Sequence, residues 1–180
     1  DGKLLSNVGT PVVTSDFALS ADAKRIAQPR STNIGSDLWT FDEHGIESRF
    51  TFADGANRFP AWSPDGQSIC YFSDESGEYQ LVVRDAAGKS APRSFALGES
   101  PGFYYNPVWS PDSSKLLVAA QDALWITATD GSQPTKLAAA FPGKSPTQPM
   151  WSPDSKEIAW SSQQGSRSVL WRCSLSENSP

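Results

Sequence analysis

Three copies of one short word place a serine two residues before an aspartate, each behind a tryptophan: FPAWSPDGQS (59–68), NPVWSPDSSK (106–115) and QPMWSPDSKE (148–157). A serine beside a carboxylate raises nucleophilic chemistry. That chemistry needs a base to take the hydroxyl proton, most often a histidine within hydrogen-bond reach. The chain has one histidine, His44, in the polar stretch DEHG. One imidazole cannot serve three sites, and nothing in the sequence brings it near any of them. The same residues have a complete structural use. Proline sets φ to about −65°, aspartate accepts hydrogen bonds from its own turn, and glycine or serine follows where the backbone needs latitude. Tryptophan closes the strand before the turn and offers a flat face for packing. Asp65, Asp112, Asp154, Trp62, Trp109 and Trp151 are therefore read as structural turn residues, and no catalytic residue is expected.

The elements around these words repeat with them. A degraded copy, FALSADAKRIA, supplies Asp22, so the turn aspartates Asp22, Asp65, Asp112 and Asp154 are separated by 43, 47 and 42 residues. A period of roughly 40–45 is that of a propeller with four strands per blade. Each unit has a short apolar run before the turn (PVVTSDFAL, RFPAW, YYNPVW, TQPMW) and a second after it (KRIA, SICYF, KLLVAA, EIAW). A third run follows a polar loop (DLWTF, YQLVVRD, ALWITA, SVLWRCSL), and a fourth closes three units (ESRFTF, PRSFAL, PTKLAA). Such runs, bounded by Gly, Pro, Asp and Ser clusters, are strands. With 14 prolines and 13 glycines, no window keeps a helical stripe.

The expected fold is an all-β propeller of four-stranded antiparallel blades, about four in a single domain over 1–180. The repeats run approximately over 11–52, 53–97, 98–138 and 139–180. The last repeat lacks a fourth strand, while KLLS near the start is surplus, so residues 1–10 are read as an outer strand completing the last blade or ending a preceding one. Either four blades close as a small ring, or they belong to a larger propeller. An incomplete ring would leave room for a homodimer.

Composition excludes some functions. The net charge is −5, with 15 Lys+Arg against 20 Asp+Glu, and there is no basic run with which to release counterions from a phosphate backbone. Nucleic acid is not an expected partner. No stretch approaches the eighteen or so apolar residues of a spanning helix, so membrane insertion is not expected either. DGKLLSNVGT lacks the pattern of a signal peptide, which leaves a cleaved leader open. The compartment stays undecided between bacterial periplasm and cytoplasm.

Cys70 and Cys173 lie in apolar runs without metal or disulfide spacing and read as small buried hydrophobes. SDESGE gathers Asp74, Glu75 and Glu78 but lacks the spacing of a calcium loop, so a solvated acidic hairpin is expected. A metal-dependent sugar lyase would need clustered imidazole ligands, and the single histidine argues against it. All seven tryptophans fall in strand runs and read as core rather than as sugar platforms. No cofactor or metal is called for.

The repeat P-x-W-S-P-D-G/S followed by an apolar strand resembles the TolB-like β-propeller repeat, a relative of the WD type, across essentially the whole chain. YFSDESGEYQLVVRD (71–85) and FYYNPVWSPDSSKLLVAA (103–120) are similar to the propeller region of tricorn-type proteases. DLWTFDEHGIESRFTF (37–52) is closer to generic TolB-like repeats. The tricorn resemblance implies a propeller that filters or admits peptides, with the catalytic serine in a separate C-terminal domain. The chain itself is then no enzyme.

Function is expected on a surface. Loops between blades share a face with loops joining second and third strands, and that face collects Arg30, Arg58, Glu75, Tyr104, Tyr105, Asp122, Lys144 and Arg167. Arg58, Tyr104, Tyr105, Glu75 and Arg167 are the candidate binding residues. The expected partner is a protein or peptide; the alternative is a small ligand such as a sugar, bound by a sensor or envelope propeller.

Overall fold

The structure is a computed structural model that describes residues 16–52, 54–97, 106–120, 123–137 and 144–175. Every regular element in it is a strand. β1 (Ala18–Leu19), β2 (Ile26–Ser31), β3 (Ser36–Phe41) and β4 (Glu47–Arg49) form the first sheet in that order. The second holds β5 (Asn57–Trp62), β6 (Ser68–Ser73), β7 (Gln80–Asp85) and β8 (Arg93–Phe95). The third holds β9 (Val108–Trp109), β10 (Lys115–Ala120), β11 (Ala123–Ala128) and β12 (Thr135–Leu137). The fourth has three strands among the described residues, β13 (Lys144–Trp151), β14 (Glu157–Gln164) and β15 (Arg167–Ser174). Every pairing within the sheets is antiparallel between sequence neighbours. The surplus run KLLS lies outside the described residues.

Burial on both faces explains why the central strands are almost continuously apolar. In β6, Cys70 and Phe72 face the third sheet, where they meet Trp109, Leu116 and Val118. Their neighbours Ile69 and Tyr71 point the other way, onto Ala27 and Leu38 of the first sheet. In β10, Leu117 and Ala119 meet Ile158 and Trp160 of the fourth. A period of two with both phases apolar is what a sheet sandwiched between sheets requires.

The row of sheets is open. β5 touches strands of the first sheet and β9, and β13 touches strands of the third. Among the described residues no strand of the fourth sheet contacts the first. This is a propeller segment rather than a closed four-bladed ring. The thiol expectation divides. Cys70 is fully buried, and desolvation pushes its thiol far above the ordinary value. Cys173 is exposed, contrary to the sequence reading. It pairs with Ile158 from β15, which is the edge strand of its sheet among the described residues.

Candidate functional site

The repeated turns come first, because they held the candidate chemistry. Ser110 donates its hydroxyl to Asp112 Oδ1 at 2.6 Å and accepts the Lys115 amide at 2.9 Å. The same aspartate oxygen accepts the Ser114 amide at 3.0 Å. Ser63 with Asp65 (2.6 Å) and Ser152 with Asp154 (2.5 Å) repeat the pattern. So does the degraded copy, Ser20 with Asp22 at 2.5 Å. In each turn the carboxylate that accepts the serine hydroxyl also accepts the backbone amide two residues further on: Lys24 at Asp22, Gln67 at Asp65, Ser114 at Asp112 and Lys156 at Asp154. The result is a strapped turn in which the hydroxyl is a structural donor. His44 sits in a different turn, its amide bonded to Asp42 Oδ1 at 2.9 Å.

The other edge of the sheets carries the β2–β3, β6–β7 and β14–β15 hairpins and the joins between sheets. Here the first two sheets are stapled. Ser36 Oγ donates to the Asn57 carbonyl (2.9 Å) and accepts the Asn57 amide (3.1 Å), while Asn57 Nδ2 donates to the Ser36 carbonyl (2.9 Å). Gly35 allows this approach, since a Cβ there would stand 2.1 Å from the Gly55 carbonyl oxygen. Asp74 Oδ1 accepts the Ala56 amide at 2.6 Å, tying the β6–β7 loop to the same join.

On this frame Arg58 stands exposed as the second residue of β5, paired in register with Phe72. Glu75 is exposed in the β6–β7 loop, two residues beyond β6. The two are neighbours along one edge, yet they are not ion-paired with each other. Beside Glu75 opens a cleft of 280 Å³ lined by Ser73, Glu75, Ser76, Gln80, Val82 and Ser94. Below it the Tyr71 phenol is raised by burial, with Arg84 acting against that shift. Arg84 also donates to the Phe50 carbonyl at 2.7 Å and stacks 4.9 Å from the Phe50 ring. Arg167 is exposed at the start of β15, two sheets away. Arg30 is committed elsewhere, in an ion pair with Glu47 at 2.8 Å over the Trp39 and Phe41 rings. Tyr104, Tyr105 and Asp122 lie outside the described residues, as does the side chain of Lys144.

The acidic hairpin divides the same way: Asp74 is a structural acceptor, and Glu75 lines the cleft. No group of three or more metal-ligating side chains occurs among the described residues. Sequence reasoning missed the hydroxyl and amide lining, Ser73, Ser76, Gln80 and Ser94, because nothing in a serine or glutamine codes for the cleft it borders. It also missed a bulge in β5. Phe59 takes a left-handed φ of 55°, and its amide donates to Asp16 Oδ2 at 2.5 Å. Gln148 repeats that backbone (φ 51°) in β13, at the corresponding place before Pro-x-Trp. Half-burial raises the Asp16 carboxyl, against the lowering effect of the Phe59 amide.

Four-stranded meanders packed face to face in series define a β-propeller module. The chain belongs to the TolB beta propeller domain family, whose model matches residues 6–180. It is similar to the crystal structure of TolB from Acinetobacter baumannii, with a TM-score of 0.67 and 19% identity over 89% of this chain and 41% of that one. The putative TolB from Agrobacterium tumefaciens aligns with a TM-score of 0.61 and 19% identity, over 92% of this chain and 60% of that one. Among curated proteins, the uncharacterized peptidase YuxL of Bacillus subtilis (strain 168) is 27% identical over 62% of this chain. The uncharacterized protein Atu1656 of Agrobacterium fabrum is 31% identical over 48% of this chain. The chain spans 17% and 29% of the lengths of those two relatives.

Proposed function

We propose that this propeller segment is a non-catalytic recognition module that holds a protein or peptide along the edge bearing Arg58 and Glu75. The observation that carries the reading is the cleft beside Glu75. An exposed carboxylate, Glu75, borders a concavity, and an exposed arginine, Arg58, lies on the adjoining strand of the same sheet, next to Asn57 of the stapled join. Charges of opposite sign on a rigid edge select for a complementary pair on a ligand and steer its approach. Arg167, and the tyrosines Tyr104 and Tyr105 marked by the sequence, belong to the same proposed surface. The likeness to YuxL, a protein described as a peptidase, supports placing such a module beside a peptidase as its substrate gate, with the catalytic residues outside this chain. A second reading rests on the lining itself: three serines, a glutamine and a glutamate suit the hydroxyls of a small sugar.

Titration of the chain with mixed-sequence peptide pools and with an oligosaccharide panel separates the two. Peptide binding weakened at least about fivefold (~1 kcal/mol) by Glu75→Ala or Arg58→Ala, with thermal midpoint unchanged, is the expected result. Changing Tyr104 and Tyr105 together to alanine is expected to act likewise. Binding of an oligosaccharide alone favours the second reading, and peptide binding indifferent to all four residues removes the site.

A further inference from the structure

The cleft beside Glu75 has a direction. Its strand residues come from the end of the second sheet nearest the β6–β7 hairpin: Ser73 pairs with Gln80 at the last rung of that ladder, and Val82 pairs with Ser94 across β7 and β8. Side chains two apart share a face of a strand. Gln80 and Val82 therefore stand on the face that also carries Tyr71, the partner of Val82 on β6, and Arg84.

The inner end of this row is closed and its cation is engaged. The Tyr71 ring meets the Phe50 ring edge-on at 6.3 Å, and Arg84 bonds the Phe50 carbonyl and lies against the same ring. Neither Tyr71 nor Arg84 lines the cleft. The outer end is open and acidic. Glu75 is exposed and forms no ion pair among the described residues, and Glu78 is exposed in the same loop. Asp74 is the acid of this loop that serves the fold, through the Ala56 amide.

Between the two ends the lining offers acceptors around an apolar patch. Glu75 presents a carboxylate, Gln80 a carboxamide oxygen, and the serines hydroxyl oxygens. The Ser76 hydroxyl donates to the Glu78 carbonyl at 3.2 Å, which leaves its lone pairs for an incoming donor. Val82, buried in the sheet, supplies the apolar surface. At 280 Å³ the cleft falls just below the roughly 300–1,000 Å³ of small-ligand pockets, a size for one long side chain. A primary ammonium on a four-carbon stem matches this order: three N–H donors and no acceptor at its head, and methylenes that lie along apolar surface. A ligand carboxylate would meet Glu75 as a like charge, and the net charge of −5 favours the approach of cations over anions.

We infer that the cleft is a lysine-selecting subsite, in which a peptide side chain lays its methylenes on Val82 and sets its ammonium among Glu75, Ser76 and Gln80. This rests on the reading of the edge as a peptide-binding surface and adds what the peptide carries there.

Four pools of mixed-sequence peptides, alike except for one fixed central residue, test it on the full chain. The fixed residues are lysine, norleucine (the stem without the charge), glutamine and glutamate. The lysine pool is expected to bind at least about fivefold more tightly than the norleucine pool, and the glutamate pool most weakly. Glu75→Gln is expected to erase the advantage of lysine over norleucine, and Glu75→Lys to move the glutamate pool ahead of the lysine pool. Val82→Thr is expected to weaken the lysine and norleucine pools by the same factor, with an unchanged thermal midpoint showing that each variant is folded. Pools that bind alike whichever residue is fixed overturn the subsite and leave the recognition surface standing. A lysine preference that survives Glu75→Gln overturns it too. If no pool binds the wild-type chain, the subsite and the recognition surface both fall.

Discussion

The seam between the first and second sheets differs from the two that follow it. At the later seams a tryptophan indole and a serine hydroxyl bridge the sheets. Trp109 donates to the Ala61 carbonyl and Ser113 accepts the Asp65 amide; one seam further on, Trp151 donates to the Val108 carbonyl and Ser155 accepts the Asp112 amide. At the first, Trp62 is present and 8% exposed, but its indole N–H has no hydrogen-bond partner. Gly66 stands where the serine would be, so the hydroxyl is absent as well. Arg25 of the first sheet closes this seam by different contacts: its guanidinium lies 4.4 Å from the Trp62 ring and donates to the Gly66 carbonyl at 2.9 Å. The same fold is held at one seam by a charged side chain reaching forward and at two others by neutral groups reaching back. A repeat therefore conserves the need to close each seam rather than the bonds that do so.

The largest expected effect comes from the latched seams. Trp109→Ala removes an indole packed among Cys70, Leu116 and Val118 and is expected to cost about 3–5 kcal/mol, read from the urea midpoint. Phenylalanine separates packing from the hydrogen bond. Trp109→Phe and Trp151→Phe are expected to cost about 1–2 kcal/mol more than Trp62→Phe, because only the first two lose a bond. Equal costs at all three positions would break the comparison. Arg25→Ala comes next, at about 1–2 kcal/mol, from the lost ring contact and the lost bond to Gly66. Arg25→Lys should recover little, since an ammonium cannot stack flat on the ring while donating sideways.

That contrast also shows what the sequence discloses. The period of the turn aspartates, the strand runs and the three described strands of the last sheet are legible because each depends on residue type along the chain. KLLVAA and ALWITA are β10 and β11 residue for residue. The fourth strands are shorter than their apolar runs: ESRFTF pairs only over Glu47–Arg49, after which Phe50 and Thr51 both donate to the Leu38 carbonyl and end the ladder. The seams are not legible, because Arg25 lies 41 residues from Gly66, and no local pattern marks a lysine-arginine pair after a degraded turn as a bridge. The candidate site falls between these cases. Arg58 and Glu75 can be placed on one edge by counting strands, whereas the cleft beside Glu75 depends on how β7 and β8 pack, which counting does not reveal.

The smallest expected effect is in the turns themselves, and pH reads it. Asp112 is held below the ordinary carboxylate value: partial burial is the largest single influence and acts upward, but the Ser110 hydroxyl and the Ser114 amide and hydroxyl together outweigh it. Asp154 moves in the same direction, chiefly through the Ser152 hydroxyl and then the Lys156 amide. A carboxyl depressed in the folded state is protonated first in the unfolded chain. Its stabilisation is therefore present above about pH 4 and lost as pH falls through the folded value. Asp112→Ala is expected to flatten that acid limb in urea titrations between about pH 2 and pH 5, by about 0.5 kcal/mol once solvent screening is allowed for. Asp16, raised by burial, acts with the opposite sign, so Asp16→Asn should steepen the same limb. If neither substitution changes the slope, the turn carboxylates are spectators, and the seams alone set the stability of the row.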